Sequence, residues 1–203
     1  MPKLTIDDKP VQVPDGTTIL AAAQKLGIKI PTLCFNPHLL PYGGCRICTV
    51  EVSMPWTEGP GRLVPSCSHP VDEGMSVKTQ SPATISARRF IAELLLAAAP
   101  ESEHMREVAA SLGISPDNLA EDDLIGQYLF ERAAKPEKTK CIKCSMCVRV
   151  CAEHVGMQAI CFTQRGTRRS VRTPFEKVSK TCIGCGACAY ICPTRAIHIE
   201  SAD

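Results

Sequence analysis

The sequence has 203 residues, of which 44% are hydrophobic and 22% are charged, and its formal net charge is +2. This composition is ordinary for a globular protein of one or two domains. So small a net charge argues against a protein whose main task is to bind nucleic acid or an anionic membrane. No stretch approaches the roughly 18 apolar residues that a membrane span needs. The chain also has no Gly-rich dinucleotide fingerprint and no P-loop, so we expect no nucleotide site.

The chain contains 13 cysteines. Its first residues carry no apolar signal-peptide core, so we expect the protein to remain in the reducing cytoplasm. In that compartment, cysteines in such numbers serve as metal ligands rather than as disulfides. The sequence therefore predicts several metal centres.

The first 80 residues predict a small sheet with one helix. Alternating apolar and polar residues predict a β-hairpin over residues 3–6 and 11–13. A helix follows, capped by Thr17 or Thr18, and further strands are expected near 49–52 and 76–79. This order of elements resembles the β-grasp fold of [2Fe–2S] ferredoxins.

Four cysteines of this segment are predicted to bind one [2Fe–2S] cluster: Cys34, Cys45, Cys48 and Cys67. Plant-type ferredoxins have four residues between their first two cysteines, whereas this chain has ten, so the plain type does not match. Gly43 and Gly44 would let backbone N–H groups approach a cluster sulfur. The alternative is a structural zinc on the same four residues.

Residues 81–134 contain no cysteine and are predicted to form a helical connector. Ser81 and Pro82 are typical of a helix start, and the helix should continue to about residue 99. Its predicted buried stripe consists of Ile91, Leu94, Leu95 and Ala98. A second amphipathic helix is expected from Ser102, with Met105, Val108 and Leu112 on its inner face.

Two cysteine runs with the spacing C-x2-C-x2-C-x3-C lie in residues 135–203. In two-cluster ferredoxins, the fourth cysteine of each run binds the cluster of the other run. The first predicted [4Fe–4S] cluster therefore takes Cys141, Cys144, Cys147 and Cys192. The second takes Cys182, Cys185, Cys188 and Cys151. Gly184 and Gly186 suit a backbone that bends closely around a cluster. Zinc would need only four of these eight ligands.

The combined motifs resemble a known family. The pattern Cys34-x10-Cys45-x2-Cys48-x18-Cys67, the Leu-rich segment 93–97 and the paired runs resemble the N-terminal part of the large iron–sulfur subunit of respiratory complex I. In size, the chain is most similar to the small diaphorase subunit of NAD-reducing hydrogenases. The resemblance implies an α+β protein with a β-grasp [2Fe–2S] domain (1–80), a helical connector (81–134) and a two-[4Fe–4S] ferredoxin domain (135–203).

The chain departs from this family at one point. After the Leu-rich helix, the family normally has a segment with one histidine and three cysteines, which binds a further [4Fe–4S] cluster. Here no cysteine lies between Cys67 and Cys141, and His104 is interpreted as a surface residue in the first turn of a helix. Either the remaining clusters lie close enough to exchange electrons directly, or the [2Fe–2S] cluster serves a separate branch.

Three further features leave alternatives open. Cys161 is expected to be a buried, inert thiol in a strand, and the alternative is a spare cluster ligand. Trp56 could be an exposed anchor or could pack on its own domain. Six basic residues form either a solvated loop or a face for an acidic partner: Arg165, Arg168, Arg169, Arg172, Lys177 and Lys180. A positive charge about 7 Å from a cluster, at a dielectric of about 20, would favour its reduction by roughly 2 kcal/mol, or about 100 mV.

The resemblance implies an electron-relay subunit with no catalytic residues of its own. Its expected partners are a subunit that holds FMN and reacts with NAD(P), and a catalytic subunit of the hydrogenase or formate dehydrogenase type. Electron-bifurcating complexes contain related modules. The main alternative is a free-standing polyferredoxin. A redox-sensing regulator would need a nucleic-acid-binding motif, and succinate-dehydrogenase-type subunits have a shorter first cysteine gap.

Overall fold

The computed structural model describes residues 1–114, 140–177 and 180–199. In this part of the chain the helices are α1 (Ile19–Lys25), α2 (Pro82–Ala98), α3 (Glu103–Ser111), α4 (Met146–Glu153) and α5 (Ala187–Tyr190). The strands are β1 (Lys3–Ile6), β2 (Lys9–Gln12), β3 (Thr49–Ser53), β4 (Arg62–Pro65), β5 (Ser76–Lys78), β6 (Cys161–Thr163) and β7 (Ser170–Arg172). Short 3-10 turns cover Gly166–Arg168 and Pro174–Glu176.

The first five strands form one sheet in the order β2-β1-β5-β3-β4. The central strand β5 is parallel to β1, and all the other neighbouring strands are antiparallel. Alternation along β1 turns Leu4 and Ile6 into the core, where they meet Ile19 and Leu20 of α1. Burying a side chain of this size contributes roughly 1.5–3 kcal/mol to folding. This arrangement confirms the predicted β-grasp fold and its hairpin.

The start of α1 follows the predicted signals. The Thr18 hydroxyl accepts a hydrogen bond from the N–H of Ala21 at 3.3 Å and so caps the helix. After the helix, Gly27 has a φ of 72°, a left-handed conformation that favours glycine. The chain then turns towards the loop that contains Cys34.

Helix α2 begins as predicted, but its buried face differs from the predicted stripe. Ser81 caps the helix and Pro82 is its first residue. The buried helical residues are Thr84, Arg88, Ala92, Leu96 and Ala97. Of the predicted stripe, Ile91, Leu94 and Leu95 are only half-buried and Ala98 is exposed. The prediction was wrong because the face of α2 that meets the sheet includes Arg88, whose Nε–H donates to the Thr49 carbonyl of β3.

Helix α3 packs against α2 and completes a second buried cluster. Ser102 caps it, and Met105 and Ala109 are fully buried. Val108 and Leu112 are partly buried against the same cluster, so the predicted inner face is confirmed. The later part of the predicted connector lies outside the described residues.

The C-terminal part places α4 and α5 side by side next to a two-stranded β6-β7 hairpin. Leu39, from the loop before Cys45, packs on Met146 and Val150 of α4. The loop over residues 35–44 therefore joins the two cysteine-containing regions. None of the helices among the described residues is long and apolar enough to cross a membrane.

Candidate metal centres

The sheet register brings together two of the four cysteines of the N-terminal region, Cys48 and Cys67. Thr49 of β3 pairs with Pro65 of β4. Cys48, just before β3, and Cys67, just after β4, therefore lie at the same end of this strand pair. The N–H and hydroxyl of Ser66 both donate to the Cys48 carbonyl, at 3.1 and 2.8 Å. The four cysteine side chains are almost fully buried: Cys34, Cys45, Cys48 and Cys67.

The thiols of these cysteines touch one another. Contacts with the Cys45 and Cys67 thiols hold the pKa of Cys34 well below its usual range. Contact with the Cys67 thiol lowers the pKa of Cys48 to about 6. The same contacts, chiefly with Cys34, raise the pKa values of Cys45 and Cys67. Binding of a metal centre would displace the protons that these four thiols share, because metal ligands are thiolates.

The loop before Cys45 is shaped for a close approach of backbone to sulfur. The Cys45 N–H donates to Cys34 Sγ at 3.4 Å, and the Gly44 N–H also helps to lower the pKa of Cys34. A Cβ at Gly44 would lie 2.2 Å from the Tyr42 ring, and one at Gly43 would lie 2.7 Å from the Ser68 hydroxyl. The N–H donors and buried sulfurs fit an iron–sulfur cluster, whose potential depends on such hydrogen bonds.

Five of the eight cysteines of the two C-terminal runs line a cavity of about 730 Å³. Its lining includes Cys141, Cys144, Cys147, Cys188 and Cys192. The two loops have matching conformations. Lys143 and Ser145 have positive φ angles in the first run, as do Gly184 and Gly186 at the corresponding places of the second. The two runs therefore form a structural repeat.

The pKa values of cysteines in each run are raised by burial and by negative charge on the fourth cysteine of the other run. Burial raises the pKa of Cys144 to about 11 and of Cys147 to about 12, and negative charge at Cys192 contributes to both increases. Burial also raises the pKa of Cys188, with contributions from Cys185 and Cys151. Cys192 thus lies near the first run, and Cys151 lies near the second. Cys182 and Cys185 are exposed.

Backbone donors also point at sulfur in this region. The N–H groups of Ala159 and Ala196 donate to Cys151 Sγ and Cys192 Sγ, each at 3.2 Å. The Lys143 N–H donates to Cys141 Sγ at 3.4 Å. The buried Ser145 hydroxyl, directly after Cys144, has no hydrogen-bond partner within the described ranges. A cluster sulfur is an acceptor that would satisfy it, so this pocket too fits an iron–sulfur cluster.

The basic segment lies against the cavity. Arg168, Arg169 and Arg172 line the same space as the cysteines. The Arg169 guanidinium also stacks on Phe162, 3.6 Å from the ring centroid. Arg169 is half-buried, whereas Arg168 and Arg172 are exposed, so the interpretation as a solvated loop fails only for Arg169.

Three other residues can now be placed. His104 is exposed in the first turn of α3 and lies 3.4 Å from Glu107, as expected for a surface residue. Cys161 is in β6, as predicted, but it is half-buried rather than buried. Trp56 is 73% exposed, which favours the exposed alternative.

The two cysteine-containing regions meet directly. Cys34, Cys45, Ile47 and Leu96 lie in one apolar cluster, and Cys144 packs against it. Negative charge at Cys34 contributes to the raised pKa of Cys144. The structure thus brings the N-terminal cysteine group next to the first run. The absence of the histidine-and-cysteine segment left two alternatives, direct electron exchange between the remaining clusters or a separate branch for the [2Fe–2S] cluster. This arrangement favours direct electron exchange.

A hydrogen-bonded clamp holds this junction. Arg149 and Glu153 pair within α4, with Arg149 Nε donating to Glu153 Oε1 at 2.8 Å. The Leu40 N–H donates to Glu153 Oε2 at 3.1 Å, while Arg149 Nη2 donates to the Leu40 carbonyl. His154 Nε2 contacts the carbonyl oxygen of His38. Sequence reasoning missed this clamp, because its members are 109 to 116 residues apart.

Comparisons with known families agree with this geometry. Residues 2–82 match a 2Fe-2S iron-sulfur cluster binding domain, and residues 140–200 match a 4Fe-4S dicluster domain. The chain therefore combines these two kinds of iron–sulfur domain, and it carries one [2Fe–2S] and two [4Fe–4S] clusters. The zinc alternatives are thereby excluded.

Within that class, its homologues confirm the resemblance drawn from the motifs. The chain is 35% identical to NADP-reducing hydrogenase subunit HndD of Solidesulfovibrio fructosivorans over 96% of its length, covering 35% of that protein. It is 29% identical to the mitochondrial NADH dehydrogenase (ubiquinone) iron-sulfur protein 1 of Solanum tuberosum over 95% of its length, covering 27% of that protein. The chain thus spans only about a quarter to a third of the length of these relatives.

A solved structure shows the same fold. A chain of the NAD+-reducing [NiFe]-hydrogenase, in the H2-reduced state, matches with a TM-score of 0.67 at 23% identity. The match covers 96% of the present chain and 86% of the hydrogenase chain. At this level of identity the likeness concerns the fold, and it confirms the predicted α+β architecture.

Proposed function

We propose that this protein is the electron-relay subunit of an NAD(P)-linked oxidoreductase complex. Its [2Fe–2S] ligands would be Cys34, Cys45, Cys48 and Cys67. The first [4Fe–4S] ligands would be Cys141, Cys144, Cys147 and Cys192, and the second would be Cys182, Cys185, Cys188 and Cys151. The observation that supports this proposal best is the meeting of Cys34 and Cys144 in one buried cluster. Two of the three centres would then be neighbours.

The protein's own residues would prepare the path for electrons. The clusters, when bound, each accept and release one electron at a time. The apolar side chains around Cys34 and Cys144 exclude water from the junction. Backbone N–H groups at Cys34, Cys141, Cys151 and Cys192 stabilise negative charge on sulfur. Catalytic residues are not needed for this role.

Exposure differs between the two ends of the path. The N-terminal cysteines are buried, whereas Cys182 and Cys185 are exposed. Ile183, the residue after Cys182, is 65% exposed, and Tyr190 of α5 is 95% exposed. Exposed ligands with exposed apolar side chains on the same segment suit electron transfer to a docked subunit, because tunnelling requires close approach and apolar surface favours association.

The relatives suggest the partner subunits that we propose. Those relatives include an NADP-reducing hydrogenase subunit and NADPH-Fe(3+) oxidoreductase subunit alpha of Geobacter sulfurreducens. We propose a subunit that binds FMN and NAD(P) on one side and a hydrogenase or formate dehydrogenase subunit on the other, all in the cytoplasm. A free-standing polyferredoxin is the competing function.

The test is an anaerobic affinity purification of the tagged protein from its native cells. Mass spectrometry should identify a flavin subunit together with a catalytic subunit. In the purified complex, Cys185→Ser should abolish electron transfer between the partners while each retains its partial reaction with artificial dyes. A coloured monomer with no bound partner would support the polyferredoxin instead, and full transfer in the variant would remove the second cluster from the path.

A further inference from the structure

Arg88 occupies an unusual place for a basic residue. It lies in the middle of α2, on the face that packs against the sheet, and its side chain is only 2% exposed. Its Nε–H donates to the carbonyl oxygen of Thr49 at 2.9 Å. Thr49 directly follows Cys48, so this hydrogen bond fixes the guanidinium beside the N-terminal cysteine group.

The guanidinium is not neutralised by a carboxylate in the part of the chain that the structure describes. No ion pair to Arg88 is present there, and its buried Nη2 has no hydrogen-bond partner. Asp7 is the carboxylate that helps to raise the pKa of Arg88, after Cys48. Both Asp7 oxygens, however, accept hydrogen bonds from Thr79, at 2.7 and 2.6 Å. Arginine is almost never buried without a paired group.

The helix itself does not require an arginine here. The other buried residues of this face are Thr84, Ala92, Leu96 and Ala97, which are small or apolar. An apolar side chain at residue 88 would continue that face without the cost of burying a charge. The cation therefore needs a negative group nearby, and Cys48 is the negative group that most raises its pKa against the lowering effect of burial.

We infer that Arg88 is the internal counter-cation of the [2Fe–2S] site and that its fixed charge raises the reduction potential of this cluster. The inference rests on the proposed ligand set at Cys34, Cys45, Cys48 and Cys67. Reduction adds one electron from the donor to a centre that four thiolates already make negative. A guanidinium, which stays protonated throughout, stabilises the reduced form more than the oxidised form.

The experiment is a potentiometric titration of the purified, cluster-loaded full chain, with the reduced [2Fe–2S] signal followed by electron paramagnetic resonance. Arg88→Gln removes the charge but keeps an N–H donor for the Thr49 carbonyl. At a fixed ambient potential, its ratio of reduced to oxidised cluster should fall about tenfold, equivalent to a midpoint about 59 mV lower. Arg88→Lys keeps the charge and should restore most of the ratio.

Arg89→Gln is the matched control, because Arg89 is the next residue of α2 and is exposed. It should change the ratio less than twofold. A purely structural role for Arg88 would lower the urea midpoint of unfolding but would leave the potential unchanged, and that result would overturn the inference. Equal ratios in Arg88→Lys and Arg88→Gln, both below the wild-type ratio, would overturn it too, because charge would then not matter.

Cys48→Ser separates this inference from the proposed ligand set. If the [2Fe–2S] spectrum is unaltered in Cys48→Ser, the ligand set is wrong and the inference fails with it. If Cys48→Ser loses or changes the spectrum while Arg88→Gln leaves the potential unmoved, the ligand set stands and only the role of Arg88 fails.

Discussion

The backbone of the first cysteine run adopts conformations that its residues do not favour. Lys143 and Ser145 have φ angles of 55° and 70°, whereas the second run has Gly184 and Gly186 at 68° and 74°. A side chain in this region costs on the order of 1–3 kcal/mol. Because both runs keep the same loop shape despite this cost, the shape itself must be needed to aim the cysteines inward.

At the scale of single residues, we predict that a side chain at Gly44 impairs assembly of the [2Fe–2S] cluster. A Cβ there would overlap the Tyr42 ring at 2.2 Å, so Gly44→Ala should displace the loop that directs N–H groups at Cys34 Sγ. We expect the variant to retain less than half of the wild-type [2Fe–2S] content, measured by visible absorption and by iron and acid-labile sulfide per chain.

The double variant Gly44→Ala/Tyr42→Ala is the matched control. It removes the ring that the new methyl group would meet, so cluster content should return to near the wild-type value. If the double variant remains as deficient as Gly44→Ala, the defect does not arise from the contact with Tyr42.

At the scale of elements, α4 does more than present two cysteines. Its Arg149 and Glu153 bind both the N–H and the carbonyl of Leu40, much as a neighbouring strand would. Arg149 also lies over the Tyr42 ring, 5.6 Å from its centroid. The helix thereby fixes the 35–44 loop, and with it the spacing between the N-terminal cysteines and the first run.

Glu153→Ala should release this loop. The Leu40 amide loses its acceptor, so its hydrogen exchange should be accelerated about tenfold, measured by exchange and mass spectrometry of peptides that cover residues 36–44. Glu107→Ala is the control, because Glu107 is exposed on α3 and pairs only with His104 among the described contacts. Unchanged exchange in Glu153→Ala would show that Leu39 packing and the contacts of Arg149 and His154 hold the loop without Glu153.

The same clamp predicts a pH dependence. Arg149, and then the Leu40 N–H, lower the pKa of Glu153 below its usual value. A carboxyl group whose pKa is lower in the folded than in the unfolded state stabilises the fold fully when the pH is above its unfolded pKa. This stabilisation is lost as the pH falls through the folded pKa. Protection of the Leu40 amide should therefore stay constant from pH 7 to about 5 and decline under more acidic conditions. Glu153→Gln should lack that decline.

At the scale of the whole molecule, the proposed ligand sets cross between the two cysteine runs, and the first run lies next to the N-terminal cysteines. Cys192→Ser should therefore remove the [4Fe–4S] cluster next to the [2Fe–2S] site, and Cys151→Ser should remove the distant one. Magnetic coupling between the reduced [2Fe–2S] cluster and its neighbour should be lost in Cys192→Ser and kept in Cys151→Ser. The opposite pattern would mean that each run binds its own fourth cysteine.

Sequence reasoning succeeded where the information is local. The spacing of the two cysteine runs, the cap at Ser81 and the alternation along β1 each lie within one turn or strand, so they could be recognised without a fold. The predicted buried face of α2 was wrong, because the periodicity of apolar residues cannot reveal a buried arginine. Arg88 is buried beside Cys48. The domain boundaries at residues 80 and 134 stay a prediction.

The sequence by itself determined which cofactors this protein carries, because cysteine spacing along the chain dictates how many thiolates a loop can direct to one point. Only the tertiary structure decided how the centres are placed relative to one another. The Leu40 clamp, the contact of Cys34 with Cys144 and the burial of Arg88 all join residues that are far apart in sequence. Such contacts depend on how β3, α2 and α4 pack together, and no local pattern encodes that packing.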